Sequence, residues 1–384
     1  METQASITQA SVAKGVDAAR LERELSRMWA EMSEPKGDVQ ASGIVRACVL
    51  NLIAYVGGKD ERPEVNDLLE VVVERHPCRA ILLVADRAAS APRLEAFVST
   101  RCQLSAPGAK RICGEQISIE ADGAVVDTAS TAVTPLLVPD VPVFLWWKDI
   151  PHYEDKLFDR LAEMSDRVVI DSASFDHPHQ DMLRLAEILK EGRLRVSDLN
   201  WGRLTSWRSL VASFWDAADN RQSLAQIERV RIEYDPPDAS HEEVAPKALL
   251  ALGWLASCLG WEVVSGGSAT EAGRSHFKLS GGGREVEAVL AATDDVAGRD
   301  GMITSLTLST AAGDEFYVIL RYHEGKLETG VRHGGDGQTV ARVLGYEARS
   351  EGQRLSAELD ILARDRVFEN AARVAARMLE TVAV

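Results

Sequence analysis

Acids at the ends of strand-like runs are the residues of this sequence best placed to do chemistry. Asp86 closes ILLVAD, Asp149 follows VFLWWK, and Asp171 closes DRVVID just before Ser172. In open parallel sheets, ligands bind beyond the carboxyl ends of the strands, so these carboxylates would share one edge. Lys148 adds an ammonium there. Arg79, which opens the first of these strands, could hold a phosphate or carboxylate through its planar fork. Arg79, Asp86, Asp171 and Ser172 are therefore the candidate ligand-binding residues, with a sugar phosphate as the ligand class. The plainer reading is favoured: the acids cap the helices that follow, and Arg79 starts a buried strand after a helix stopped by Pro77.

No other chemistry is spelled out. GxGxxG after a strand, GxxxxGK[ST], HExxH and GxSxG are all missing. His177 and His179 lie near Asp176 and Asp181, but two local histidines in a pre-helix loop rarely make a metal site. Cys78 next to Arg79 could have a lowered pKa. The five cysteines, Cys48, Cys78, Cys102, Cys113 and Cys258, are odd in number and form no CxxC pair, so buried thiols are expected. No catalytic residue, metal or cofactor is assigned, and the chain is not expected to be an enzyme.

A second group of residues could act by docking. In DLNWGRLTSWRSLVASFWD, Trp201, Leu204, Trp207, Leu210, Val211, Phe214 and Trp215 keep helical spacing, and Asn200 could cap the helix. Arg203 and Trp207 are four apart and could stack. Exposed tryptophan and arginine mark interaction hot spots. Trp201, Arg203, Trp207 and Arg208, with Trp147, Lys148 and Asp149, are thus candidate partner-binding residues. Core packing of the tryptophans explains the spacing equally well.

The elements that would position these residues alternate. Helices are expected over 17–32, 66–75, 125–134, 153–164, 179–191 and 198–216, with strands within 45–56 and over 81–86, 97–104, 116–121, 143–147, 166–171 and 194–199. The run Val133 to Lys148, with Pro135, Pro139 and Pro142, leads into a strand apolar on both faces, with Trp146 and Trp147 on opposite sides. Such alternation predicts an α/β fold with a mostly parallel, doubly wound N-terminal sheet. From VRIEY onward, short strands separated by glycine turns predict a second, α+β C-terminal domain with a mostly antiparallel sheet, a helix over 244–259 and a last helix over 366–382. The expected organisation is a lead-in and amphipathic helix over 1–40, an α/β domain over 41–222 and an α+β domain over 223–384.

The formal net charge of −16 argues against nucleic acid or an anionic membrane as partner. No window is apolar enough for a membrane span, and the polar start lacks a signal core, so a cytoplasmic protein is expected.

Four blocks, HPCRAILLVAD, VTPLLVPDVPVFLWWKD, DRVVIDSASF and DLNWGRLTSWRSLVASFWD, in this order and spacing, resemble the OpcA family of glucose-6-phosphate dehydrogenase assembly proteins. The likeness is distinctive from about Ser42 to Asp216 and looser beyond. It implies a non-catalytic partner that binds glucose-6-phosphate dehydrogenase, promotes its active oligomer and raises its activity in the oxidative pentose phosphate pathway. Some relatives are tied to redox control through cysteines, and the five cysteines here do not match such a pattern. A sugar-phosphate-binding enzyme or sensor, with a small-molecule effector at the strand ends, is the alternative.

Overall fold

The computed structural model describes residues 16–33, 44–102, 111–152, 154–268, 273–334, 339–346 and 349–382. The chain forms two compact units. The first holds residues 1–170, 194–196 and 350–363, and the second holds 171–193, 197–349 and 364–384. The break placed at 222/223 from the sequence lies inside the second unit.

Eight strands form the first sheet: β1 (Ile44–Arg46), β2 (Leu50–Val56), β3 (Cys78–Asp86), β4 (Arg93–Cys102), β5 (Arg111–Asp122), β6 (Val143–Trp147), β7 (Arg167–Ile170) and β8 (Val196–Asp198). The pairings β1–β5, β5–β3, β3–β2, β2–β6 and β6–β7 are parallel, and the hairpin β4–β5 is antiparallel. Every residue of β2 is buried, as its apolar run on both faces requires. The order β5-β3-β2-β6-β7-β8 is doubly wound, and it reverses between β2 and β6. The helices are α1 (Ala18–Ser33), α2 (Arg62–Arg75), α3 (Ser130–Val133) and α4 (Lys156–Glu163). The apolar stripe of α1 is buried at Leu21, Leu25, Met28 and Trp29. The continuous helix expected over 125–134 is instead a 3-10 turn, the single turn α3 and a second 3-10 turn that carries Pro135. Proline donates no backbone N–H, so regular helix does not continue through it.

The second unit contains α5 (Pro178–Glu191), α6 (Leu199–Arg203), α7 (Thr205–Ser213), α8 (Arg221–Leu224) and α9 (Pro246–Leu259). The helix expected over 198–216 is therefore broken at Leu204. Its cap is Asp198, which accepts from Asn200 N, and not Asn200. Strands β9 (Ile227–Tyr234), β10 (Glu262–Ser268), β11 (Arg274–Gly281), β12 (Arg284–Ala292), β13 (Ile303–Thr310), β14 (Glu315–Arg321), β15 (Lys326–Arg332) and β16 (Thr339–Gly345) form a mixed sheet in the order β10-β11-β12-β9-β13-β14-β15-β16. Only β12–β9 is parallel. The helix α10 (Glu351–Glu358) belongs to the first unit, and α11 (Arg366–Val382) to the second. Within the second unit α9 and α11 pack closely. A Cβ on Gly253 of α9 would collide with the Ala371 carbonyl of α11.

The lead-in at 1–15, the stretch 34–38 after the first helix and the glycines at 335–337 fall outside the described residues. Among those described, no helix is long and apolar enough to cross a membrane.

Candidate functional site

In a doubly wound sheet the ligand crevice opens where the strand order reverses, beyond the carboxyl ends of the strands. Here that point lies between Val56 of β2 and Trp147 of β6. The chain fills it with its own charges. Lys148 donates its backbone N–H to the Tyr55 carbonyl (3.1 Å). Its ammonium lies 3.4 Å from Glu61 and 3.2 Å from Glu64. Burial works against that ammonium, but the carboxylates of Glu351, Glu64 and Glu61 outweigh it and raise its pKa. Glu61 is the N-cap residue of α2 and Glu64 lies in its first turn. A helix N-terminus is where a phosphate would bind, and this one carries two carboxylates of its own, turned to Lys148. Asp149 closes the other side: a Cβ on Gly57 would sit 3.2 Å from Asp149 Oδ2. Below this edge the Tyr55 and Trp147 rings stack at 3.7 Å, and both are buried. Burial, then Asp149, pushes the Tyr55 phenol up to about 12.

The neighbouring strand ends are also internally paired. Asp86 Oδ1 accepts from Ala88 N and Ala89 N, both at 3.1 Å, and its other oxygen lies 4.0 Å from Lys59. This local turn leads into β4, so Asp86 caps no helix, contrary to the capping expected of it. Asp122, at the end of β5, accepts from Arg93 (2.7 Å) and Lys59 (3.0 Å). Burial raises its pKa, but these two cations more than reverse the effect and hold it below the usual carboxylate range.

Arg79 is at the opposite end of β3 from Asp86, so it does not share their edge. All five of its N–H donors are used, on Glu115, Glu22 and the Leu136 carbonyl. Trp29 Nε1 also donates to Glu115 (2.7 Å). This buried cluster seats α1 on the sheet. Cys78 beside it is buried, and burial pushes its thiol up to about 12, the reverse of an activated cysteine.

The second unit gathers another strand-end cluster. Arg203 makes a two-pronged pair with Asp171 (2.6 and 2.7 Å). Asp198 accepts from Ser172 Oγ (2.7 Å), Ser172 N (2.9 Å) and Asn200 N (2.9 Å). Asn200 Nδ2 donates to Ser172 Oγ (3.1 Å), while Asn200 Oδ1 is buried with no hydrogen-bond partner among the described residues. Burial, then the charge of Asp171, raises the Asp198 pKa to about 6, against the hydrogen bonds it accepts. Ser172 is fully buried. Its hydroxyl is engaged by an aspartate and an asparagine rather than a histidine, so the group does not form a nucleophile with its base. Asp198 and Asn200 were not picked out from the sequence as site residues. Asp198 is a fourth strand-end acid, and the rule that selected Asp171 would have found it.

The structure thus brings Asp171, Ser172 and Arg203 together. It does not expose the tryptophans: Trp147, Trp201 and Trp207 are all buried. Trp201 Nε1 donates to Asp365 (2.9 Å), and Arg208, not Arg203, lies over a tryptophan, 3.6 Å from the Trp201 ring centroid. The aromatic stripe is core, because its spacing matches the face of α6 and α7 turned inward. His179 bonds to Val244 N, and no group of metal-binding side chains occurs among the described residues. Cys102 and Cys113, expected as thiols, form a disulfide, since antiparallel register sets them directly opposite each other.

Two family models match, both described as domains of a "glucose-6-phosphate dehydrogenase subunit". The N-terminal domain covers residues 70–187, and the C-terminal domain covers residues 194–372. A Nostoc punctiforme protein named as an OxPP cycle protein, OpcA, is 35% identical over 265 residues, 67% of this chain and 54% of that protein. Its namesake in Synechococcus elongatus is 32% identical over 199 residues, 52% of this chain and 43% of that protein. The chain spans about half the length of these curated relatives. Among solved structures, the Actinomadura kijaniata 3-ketoreductase KijD10 overlaps with a TM-score of 0.48 at 10% identity, covering 89% of this chain and 98% of that one. A Clostridium difficile dehydrogenase, MviM, overlaps at 0.38 and 11% identity, covering 86% of this chain and 97% of that one. Both overlaps are too loose to carry an argument. The family matches run through both units and across four blocks of sequence, and the chain belongs to the OpcA family of glucose-6-phosphate dehydrogenase assembly proteins.

Proposed function

We propose that this chain is a non-catalytic partner of glucose-6-phosphate dehydrogenase that favours the active oligomer of that enzyme. Family membership supports the partner. The observation that carries the non-catalytic part is the closed switch point: Glu61 and Glu64 on Lys148 at the start of α2, with Asp149 against Gly57. A sugar phosphate or dinucleotide placed there would meet carboxylates where it needs donors. A protein that binds the active state of an enzyme more tightly than the inactive one shifts the population toward it, by as much as the difference in affinity. Of the candidate docking residues only Asp149 is exposed. The charged carboxyl edge around it, with Lys59, Arg87 and Glu64, is the contact surface we favour.

The test is co-elution of the chain with the dehydrogenase, followed by kinetics with and without it. A lower KM or higher kcat is expected. Absence of both complex and kinetic change overturns the reading. Stabilisation of the chain alone by glucose 6-phosphate or NADPH in a thermal-shift assay would favour a metabolite sensor instead.

A further inference from the structure

The second unit presents one face of its eight-stranded sheet to solvent. On the inner face Val230, Ile232, Leu290, Phe277, Leu306 and Val318 are buried, and α9 and α11 lie in that layer. The outward positions alternate with these. Arg229, Glu287, Arg332 and His276 keep about half of their side-chain surface exposed. Hydroxyl residues line the middle strand, β13: Ser305, Thr307 and Ser309. A depression of about 320 Å³ lies beside them, lined by Arg231, Ser305, Thr307, Tyr317, Ile319 and Arg332, among others.

We propose that this face binds the same face of a second copy of the chain, about a two-fold axis running along β13. The argument is the order of charges across the strands. Register places Glu287, Arg229, Ser309, Glu315 and Arg332 in one row, on β12, β9, β13, β14 and β15. A two-fold axis along the central strand lays β9 on the partner's β14 and β12 on the partner's β15. It therefore sets Arg229 against the Glu315 position and Glu287 against the Arg332 position of the second copy.

Within one copy Arg229 already pairs with Glu287 (3.2 Å) and Arg332 with Glu315 (3.1 Å). Stacking the two copies turns each such couple into a ring of four alternating charges, and symmetry forms the ring twice. In the next row Arg231 lies opposite the partner's Tyr317 position, where Arg332 of that copy covers the buried ring at 4.4 Å. The axis passes Thr307, a small residue that lets two sheets approach.

Charge and area agree with this. The chain carries −16, so random faces of two copies repel, whereas the row through Ser309 sets Arg229 and Arg332 of each copy against Glu315 and Glu287 of the other. Seven strands from β11 to β16, at about 4.8 Å spacing and about 25 Å long, give on the order of 800 Å². Each side of a stable interface buries about that area.

Sedimentation velocity of the full chain at concentrations up to tens of micromolar tests this. Wild type is expected at twice the chain mass. Thr307→Arg, which sets two like charges on the axis, is expected to sediment as a monomer that circular dichroism shows to be folded. Arg229→Glu and Glu315→Arg are each expected to be monomeric alone, since each sets like charges against each other across the axis. An equimolar mixture of the two is expected to recover the dimer, because every cross-axis contact is then between opposite charges. That recovery excludes misfolding as the cause of the loss. A monomeric wild type, a dimer that survives Thr307→Arg, or single variants whose mixture stays monomeric would each overturn the proposal. So would a monomeric chain that needs Thr307 only to co-elute with the dehydrogenase.

Discussion

The Lys148 ammonium and the Glu64 carboxylate meet at 3.2 Å across the point where the first sheet reverses its strand order. The chain thereby supplies both the cation and the anions at a place where other doubly wound sheets hold a ligand. Replacing Lys148 with Met should cost about 1 kcal/mol, a modest figure because both glutamates are well exposed and water screens them. The pKa of Lys148 is raised in the folded chain, so its contribution is full below the ordinary lysine value and is lost as pH rises through the folded one. Urea denaturation of both proteins should show their difference closing in that alkaline window.

Asp198 should make stability depend on pH in the acid range. Its folded pKa of about 6 lies above the unfolded value of 3.8. The folded state therefore favours the proton, and its stabilising effect is complete below the unfolded value and is lost as pH rises through about 6. Asp198→Asn keeps an acceptor for Ser172 N and Asn200 N and removes the buried charge. At pH above 7 the variant should match or exceed wild type, by up to roughly 3 kcal/mol. A flat stability profile in the variant, against a falling one in wild type between about pH 4 and 7, is the signature. An equal slope in both would refute it.

Arg79→Leu should loosen α1. It leaves Glu115 buried with fewer partners, and breaking a buried pair by removing one side costs about 3 kcal/mol or more. Proteolysis within α1, and faster amide exchange at Leu21 and Leu25, should accompany the loss.

The disulfide should be worth about 2–3 kcal/mol, from the short loop it closes. Its cysteines are 11 positions apart. Cys102→Ser and wild type in excess dithiothreitol should unfold at the same urea concentration, both below oxidised wild type.

Much of the fold could be read from hydrophobic pattern. The runs that became β2, β3, β6 and β7 are apolar on both faces, as strands buried in a parallel sheet must be, and α11 kept a clean stripe. Pattern failed where tertiary context decides. The tryptophans of α6 and α7 have the same spacing whether they face a core or a partner, and only the fold buries them. Arg79 and Asp86 are near in sequence, but a nine-residue strand carries them to opposite ends. One element and one site residue were missed although their signals were present. Ser350 and Gln353 form a capping box that announces α10, and Asp198 repeats the strand-end acid of Asp171.

The last stretch of the first unit also sets an order on how the chain can be made. Residues 350–363 return to that unit: His76 bonds to the Ser356 carbonyl, Arg75 to Asp360, and Arg167 to the Ala363 carbonyl. Gly352 lets α10 approach the backbone of α2 at Leu68. A ribosome that has finished Ile170 has therefore not finished the first unit. The half synthesised first waits for these bonds until residues 350–363 have emerged, and a fragment cut at the unit border would carry that incompleteness permanently.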